Sequence, residues 1–463
     1  MLVEPKILDK TLDAALSTGA DFAEVFLEES YSSHLTYLNR KPDQALVGNL
    51  YGAGIRVFFG HEVIYVTTSD LTEEGLIKAA LQAAAARKDQ QLQAQLKQPL
   101  KAVSFDSIHP FGARPWETAK DQKFKQLGAM DQWARSRSGL ITQVQTGLNE
   151  KFQKVQIANS LGRWIYDERA YSRVSCEVFV EEGGVKESAS EREGHMGTAE
   201  FLESMDRDGF VQTAVDRALL LLKAPFAPAG EMPVIIDNAF GGVIFHEACG
   251  HGLETTSVAK GASVFCDKLG ERVAPECVTA VDDGTLPNSW GSLNVDDEGY
   301  PTRRTVLIEK GILKSYLVDQ MGARQTGYEP TGSGRRESYK FAPASRMRNT
   351  FIEAGSDSFE SMVKDVDYGL FAKSMGGGSV NPGTGDFNFA VQEAYMIRRG
   401  QIAEPVKGAS LIGRGIDALG KIVKVSNDLK LASGMCGSVS GVIPAAVGQP
   451  QILVSSLLVG GRA

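Results

Sequence analysis

The chain has 463 residues, of which 43% are hydrophobic and 23% charged, and this composition excludes a mostly disordered protein. Its net charge is −8, and no Lys/Arg cluster resembles a phosphate-binding patch, so we expect no nucleic-acid partner. No apolar run approaches the roughly 18 residues of a transmembrane helix, and the amphipathic N-terminus is unlike a signal peptide. Five cysteines in so long a chain do not form a disulfide framework. We therefore expect a cytoplasmic protein with reduced thiols and no membrane partner.

Glycine is distributed unevenly along the chain. Of the 49 glycines, 16 lie in residues 1–225 and 33 in residues 226–463. The second half has about twice the ordinary glycine content of roughly 7%. The excess has no G-X-Y period, which excludes a collagen-like repeat. The two halves are therefore built differently, and the second half needs many tight turns or close backbone approaches.

The first half combines helical and strand-like patterns. Apolar spacing and turn residues predict, in chain order, a helix over 5–17, four strands between 21 and 68, a helix over 72–88 that begins at Thr72, a helix over 116–137, four strands between 140 and 184, and a helix over 205–223. This order predicts an α+β domain with an antiparallel sheet and a weak internal duplication.

A Pro-rich segment separates the two halves. Residues 223–233, KAPFAPAGEMP, contain three prolines and a glycine and predict a linker. We therefore predict an N-terminal α+β domain over residues 1–224 and a β-rich C-terminal domain over residues 225–463. In the second domain, PVIID predicts a short buried strand and NAFGGVIFHEACGHGLE a helix. The remainder consists of short β-type runs between glycine-rich connections.

The run HEACGH at residues 246–251 is the strongest chemical signal. The metalloprotease motif H-E-x-x-H has its histidines four residues apart on one helix face, whereas His246 and His251 are five apart. On a regular helix that spacing separates the two side chains by about 140°. A π-bulge or a local break, eased by Gly250 and Gly252, would realign them. We therefore predict an irregular metal-binding helix in this segment.

Zinc chemistry assigns roles to the residues of this motif. Neutral imidazoles suit Zn²⁺, and a catalytic zinc usually has three protein ligands and a water. Glu247 would be the general base that takes a proton from that water. The third ligand is open among Cys436, in SGMCGS, then Glu254, then Cys249. If Glu254 is not a ligand, it would orient an imidazole, and a cysteine that is not a ligand would be a packed residue. The alternative for the two histidines is a structural pair.

Three further patterns each have two interpretations. Arg335 and Arg336 would bind a peptide carboxylate as a fork or form a structural salt bridge. The acidic runs 282–284 and 296–299 end in glycine and favour turns over a cation site. Glycines 376–378 would let an extended peptide pair with a strand edge, or form a flexible loop.

Several motifs together resemble one known family. The segments HEACGHGLE, VDDGTLPNSWGSLNVDDEG, TGSGRRESY, PVKGASLIGRG and GMCG…GQP are similar to those of the TldD/PmbA family of metalloproteases, in the same order. The His-Glu-x-x-x-His motif is typical of the TldD type. The resemblance implies one Zn²⁺ per chain, held by His246, His251 and Cys436, with Glu247 as the catalytic acid/base. It also implies the two-domain architecture and a dimer that encloses the site, formed with an identical chain or a PmbA-type paralogue.

Two positions depart from the family pattern. Ser438 stands where family members often have a lysine, so the cysteine ligand is kept and the lysine is not. Cys249 replaces a residue that is often aliphatic, which favours a packing role.

The sequence thus predicts a zinc-dependent peptidase that hydrolyses unfolded or short peptides in an enclosed site. The alternatives are a thiol hydrolase that uses Cys436 and a non-catalytic, metal-stabilised protein that binds peptides.

Overall fold

The computed structural model describes residues 1–87, 97–381 and 383–462. The first half forms one seven-stranded sheet with helices packed on it. Its elements are α1 (Pro5–Leu16), β1 (Phe22–Leu38), β2 (Lys41–Phe59), β3 (Glu62–Thr68), α2 (Glu73–Ala85), β4 (Lys101–Ala102), α3 (Lys120–Arg137), β5 (Ile141–Asn159), β6 (Arg163–Glu182), β7 (Val185–His195), α4 (Phe201–Ser204) and α5 (Arg207–Lys223). The strand order is β3-β2-β1-β5-β6-β4, with β7 paired to β6. All neighbours are antiparallel except β4 and β6, as predicted for an α+β domain.

The start of α2 follows from its capping residue. The Thr72 side chain accepts a hydrogen bond from the Gly75 amide, which satisfies one of the free N–H groups of the first turn. The helix predicted over 72–88 is confirmed as far as Ala85, and residue 88 lies outside the described residues.

The strands are longer than the sequence patterns predicted. The two runs predicted on either side of residue 31 form the single strand β1, because β2 and β5 pair with it on both sides along its length. The four runs predicted between 140 and 184 likewise form only β5 and β6. Strand β7 was not predicted, since its sequence, VKESASEREGH, lacks alternating apolar residues.

The two faces of this sheet differ. On β1, Val25 and Leu27 point into an apolar core with α1 and α2, whereas Glu24 and Glu28 contact the C-terminal half. A second helix pair, α3 and α5, packs with apolar side chains of β5 and β6. The unit of a helix, three strands and a helix thus occurs twice, and the copies meet at the β1–β5 pair. This arrangement supports the predicted internal duplication.

The second half is rich in short strands. Its elements are β8 (Gly230–Ile236), a 3₁₀ turn (Ala239–Gly242), α6 (Val243–Ala248), a second 3₁₀ turn (Gly250–Leu253), α7 (Thr255–Val258), β9 (Ala280–Asp283), β10 (Arg304–Glu309), β11 (Ile312–Leu313), α8 (Gln320–Thr326), β12 (Gly334–Arg335), β13 (Ala344–Ser345), β14 (Asn349–Ile352), α9 (Phe359–Lys364), β15 (Tyr368–Val380), β16 (Asp386–Arg398), β17 (Gln401–Val406), β18 (Ser410–Arg414), α10 (Gly415–Gly420), β19 (Ile422–Val425), β20 (Lys430–Ser438), β21 (Gly441–Gln449) and β22 (Ile452–Gly460).

Two larger sheets dominate this half. Strands β15, β8, β22, β18 and β16 form a closed ring, because β15 also pairs with β16. A six-stranded sheet lies beside it in the order β11-β10-β9-β14-β21-β20, with β20 at its edge. The segment 239–253 packs between the two sheets, within a core to which both contribute. The predicted fold class, α+β with a β-rich C-terminal part, is confirmed.

The sheets also divide along the chain. The N-terminal sheet uses residues 22–195, and the sheets of the second half begin at residue 230. The predicted boundary after residue 224 stays a prediction. Among the described residues, no helix combines the length and the apolar character needed to cross a membrane.

Candidate metal centre

The motif segment is broken as predicted. Helix α6 ends at Ala248, and Cys249 has φ −125° and ψ −46°, outside the helical region. The chain then continues as the 3₁₀ turn Gly250–Leu253. This break brings the His246 and His251 rings to a centroid distance of 5.2 Å at 87°. The irregular helix therefore solves the five-residue spacing that a regular helix could not accommodate.

Glycine permits close approach here, which is one of the two roles that the glycine excess predicted, and it does not form a left-handed turn. Gly242 and Gly250 are absent from the residues with positive φ, so neither is needed for a left-handed turn. A Cβ at Gly242 would lie 2.4 Å from the Gly448 oxygen, and one at Gly250 would lie 2.1 Å from Met347 Sδ. Both glycines thus permit close packing of the metal-binding segment against its neighbours.

Three side chains converge on one point. Cys436 Sγ lies 3.1 Å from His246 Nε2 and 3.3 Å from His251 Nε2. The three ligand atoms all lie within 4.8 Å of one another, and all three residues are buried. Ligand atoms of a tetrahedral zinc with Zn–N of about 2.0 Å and Zn–S of about 2.3 Å are roughly 3.5 Å apart. The two distances from Cys436 Sγ to the imidazole nitrogens therefore match a shared zinc ion within a few tenths of an ångström.

Two carboxylates adjoin this cluster. Glu254 Oε2 lies 3.1 Å from His251 Nδ1, so the carboxylate orients the imidazole with Nε2 towards Cys436. Glu247 Oε2 lies 3.5 Å from His251 Nε2, and the Glu247 side chain is 26% exposed. By contrast, His246 Nδ1 is buried without a hydrogen-bond partner among the described residues. Only one of the two imidazoles is thus oriented by a second residue.

The electrostatics of the cluster favour a thiolate. Burial would raise the pKa of Cys436, but the charge and hydrogen bond of His246, together with His251, lower it to about 3. Burial opposes the charge on His251, whereas the Glu254 carboxylate raises the pKa of that imidazole well above its usual value. Cys436 is therefore held in the deprotonated form that binds metals.

The hairpin β20–β21 carries Cys436, which is paired with Ile443. Buried Arg346 donates to the Cys436 carbonyl, and also to Ser440 Oγ and the Gly441 oxygen at 2.9 Å each. Trp290 Nε1 donates to the Gly434 oxygen at 2.7 Å. Sequence reasoning missed Arg346, because no local pattern marks an arginine that contacts a strand 90 residues away.

A cavity of about 150 Å³ opens onto the cluster. His246, Glu247 and Cys436 line it, together with residues 377–378. Glycines 376–378 lie within β15, where Gly378 pairs with Phe389 of β16 and the register shifts between Met375 and Gly378. They are therefore part of an irregular strand and not the flexible loop of the alternative interpretation.

Other predicted residues lie elsewhere. Cys249 is buried in the apolar core, where burial raises the pKa of its thiol to about 12, so it is not part of the cluster. Arg336 donates to Glu24 Oε1 at 2.7 Å, so it forms the structural salt bridge and not the carboxylate fork of the two interpretations. Arg335 donates to the Met347 oxygen at 2.7 Å. Both arginines are buried between the two halves.

The acidic runs are also structural. Asp282 forms a buried ion pair with Arg348 at 2.7 Å, and Asp297 forms one with Arg169 at 2.6 Å. Ser438, which replaces the family lysine, is exposed near the tip of the hairpin.

Comparisons with known proteins define the class. Three domain models of the PmbA/TldA metallopeptidases match the chain: domain 1 over residues 23–87, the central domain over 113–222 and the C-terminal domain over 229–461. The chain is 40% identical to a metalloprotease TldD homologue of Haemophilus influenzae over 382 residues, 80% of this chain and 79% of that one. It is 34% identical to a TldD homologue of Buchnera aphidicola subsp. Schizaphis graminum, over 89% and 86% of the two chains.

Solved structures share the fold. A candidate modulator of a DNA gyrase from Thermotoga maritima has a TM-score of 0.79 at 22% identity, over 98% of this chain and 99% of that one. TldE from Thermococcus kodakarensis has a TM-score of 0.76 at 20% identity, over 98% and 100%. The chain belongs to the TldD/PmbA family of metallopeptidases. The predicted family is confirmed, and with it the prediction of a metallopeptidase.

Proposed function

We propose that this chain is a zinc-dependent peptidase that hydrolyses peptide bonds in unfolded or short peptides. The convergence of His246, His251 and Cys436 beside the Glu247 carboxylate supports this proposal. One zinc ion per chain, held by those three residues, would polarise the peptide carbonyl and lower the pKa of a water molecule.

The carboxylates have separate tasks in this scheme. Glu247 lines the cavity and is partly exposed, so it can accept a proton from water and return it to the leaving amine. Glu254 is buried and keeps His251 Nε2 directed at the thiolate. A thiolate ligand donates more charge than a third imidazole would, so we expect modest activity or a restricted range of substrates.

We place the site inside a dimer, formed with an identical chain or with a PmbA-type paralogue. The shared fold of a TldE structure supports a pairing of similar subunits. Access through an enclosed space would admit extended peptides and exclude folded proteins. All five cysteines are unpaired, which supports a reducing, cytoplasmic location.

Substitution of Glu247 tests the proposal. We expect Glu247→Gln to keep one zinc per chain, measured by elemental analysis, and to reduce kcat by at least about 100-fold, since general base catalysis contributes that much. The substrate is an unstructured peptide, and a compact folded protein is the control. Protein without stoichiometric metal after careful handling, or a fully active Glu247→Gln variant, would contradict the proposal.

The thiolate itself supports a second candidate. A cysteine with a pKa of about 3 beside two imidazoles is also the arrangement of a thiol nucleophile. The two candidates differ in their inhibitors. A chelator abolishes the activity of a zinc peptidase and leaves a thiol hydrolase intact, so activity that survives metal removal and disappears on alkylation would favour the second candidate.

A further inference from the structure

A large cleft adjoins the catalytic cavity. Its volume is about 740 Å³, and it shares four lining residues with the cavity that contains His246, namely Phe240, Gly377, Gly434 and Met435. Five cationic side chains line this space, which we name the basic cleft: Arg173, Arg192, Arg217, Lys373 and Lys430. A substrate that reaches the metal cluster can therefore extend into a cationic environment.

Three of these cations are already paired with carboxylates. Arg217 contacts Glu191 at 2.5 Å and Glu393 at 3.2 Å. Lys373 contacts the same Glu393 carboxylate at 2.7 Å. Lys430 contacts Asp428 at 3.3 Å. These charges are largely balanced within the protein.

Arg173 and Arg192 are different. Within the part of the chain that the structure describes, no carboxylate lies within 4 Å of either guanidinium. Arg173 donates weakly to the Ser433 oxygen at 3.4 Å, and its Nε is buried without a hydrogen-bond partner. Among the described residues, the Arg192 guanidinium donates one hydrogen bond, to the Ser190 hydroxyl at 3.0 Å. Arg173 is partly buried, and a guanidinium without an anion is costly there, which favours an external carboxylate.

The sheet directs both guanidiniums to one side. In the β6–β7 ladder Arg173 faces Gly194, and Arg192 faces Ser175. Because side chains alternate along a strand, the two arginines lie on the same face as diagonal neighbours, with backbones roughly 7–8 Å apart and Cβ atoms somewhat closer. Burial and the Arg192 charge lower the pKa of Arg173 to about 10. A carboxylate between the two arginines would remove this repulsion.

We propose that Arg173 and Arg192 form a subsite for a carboxylate group of the peptide substrate. This inference rests on the proposed peptidase function. Ser433, which Arg173 contacts, lies three residues before Cys436 on β20, a separation of roughly 10 Å at the rise of an extended strand. An extended peptide has the same rise. The bound carboxylate is therefore about two to four residues from the cleaved bond.

Two sources can supply this carboxylate, the C-terminus of the peptide or an Asp or Glu side chain. The test uses matched, fluorescein-labelled, unstructured decapeptides. One pair differs in a free or amidated C-terminus, and another has Glu or Gln at internal positions. Binding is measured by anisotropy with the full chain carrying Glu247→Gln, and hydrolysis is measured with the metal-loaded wild type.

In the Glu247→Gln chain with an otherwise unchanged basic cleft, we expect the peptide that carries the recognised carboxylate to bind with a Kd about tenfold lower than that of its neutral match. Arg173→Gln should abolish that preference, and Arg192→Gln should reduce it about threefold. The exposed Arg303→Gln is the matched control and should keep the full preference. A preference confined to the first peptide pair identifies the C-terminus, and one confined to the second identifies a side chain.

Equal binding of both members of each pair by the wild-type cleft would overturn the inference, as would a preference that survives Arg173→Gln. If Arg173→Gln does not fold, Arg192→Gln decides, because that side chain is exposed. An unchanged preference in Arg192→Gln would then overturn the proposal. The binding measurement needs no turnover. Absence of hydrolysis by the metal-loaded wild type would therefore contradict the peptidase function alone.

Discussion

The two sides of the metal cluster are built in different ways. The helical segment, residues 239–253, carries two of the proposed ligands and the proposed base, and it lies in the core between two sheets. The hairpin β20–β21 supplies Cys436 from an edge strand, and beside that ligand Met435 is 47% and Val442 48% exposed. Core packing therefore positions one side of the cluster, and a few directional hydrogen bonds position the other. Substitutions in the helical segment should therefore lower the stability of the fold, whereas substitutions in the hairpin should weaken zinc binding.

The largest effect is expected where the two sides meet at the metal. Cys436→Ala and His246→Ala each remove one of the three proposed zinc ligands, so we expect both variants to lose stoichiometric zinc and at least about 1000-fold in kcat/KM. Elemental analysis and peptide hydrolysis measure these losses.

Metal-free wild type is the control for stability. We expect the Cys436→Ala variant to unfold within a few degrees of it, because Cys436 packs in a small buried cluster with Ile443 and Ala445. If either variant still binds one zinc tightly, the residue substituted in that variant is not a zinc ligand.

Glycine substitutions sharpen the comparison. A Cβ at Gly242 would press on the Gly448 backbone, which cannot rotate away, whereas a Cβ at Gly437 would meet only Val442 Cγ2 at 3.8 Å. We expect Gly242→Ala to cost about 2–3 kcal/mol and to lower the thermal midpoint by about 2–6 °C. Gly437→Ala should stay within about 0.5 kcal/mol.

Calorimetry of the two metal-free variants checks this difference. Equal midpoints would mean that the helical segment adjusts as easily as the hairpin. That result would contradict the proposed difference between the tightly packed helical segment and the less constrained hairpin.

The same difference determines what the sequence could predict. The break in the helical segment was predictable, because five residues between His246 and His251 conflict with a regular helix within one local motif. The proposed third ligand was not predictable in this way. Residue chemistry alone left Cys436, Glu254 and Cys249 as candidates, and only the family resemblance selected Cys436. The choice depends on pairing between segments almost 200 residues apart, which local spacing does not contain.

The arginines illustrate the same limit. Nothing in the neighbouring sequence separates Arg336, which is paired with Glu24, from Arg346, which contacts the Cys436 carbonyl. Strand β7 and the closed ring were also missed, since a charged edge strand has no apolar alternation and ring closure is a tertiary property.

The smallest effect concerns the contacts that hold the hairpin. Arg346 donates to three acceptors around Cys436, and no carboxylate among the described residues forms an ion pair with it, so its role is directional. Lysine keeps the charge but cannot reproduce the fork of a guanidinium. We therefore expect Arg346→Lys to weaken zinc binding about tenfold in a chelator competition, within the range of residues that support metal ligands.

Ser440→Ala removes only one of these acceptors. It should weaken zinc binding about threefold, and Ser438→Ala, exposed on the same hairpin, should have no effect. At saturating zinc, kcat of Ser440→Ala should return to the wild-type value, because the ligand is misplaced and not removed. A lower thermal midpoint with unchanged zinc affinity would instead mean that Arg346 and Ser440 stabilise the fold alone, and that the edge strand positions Cys436 without their help.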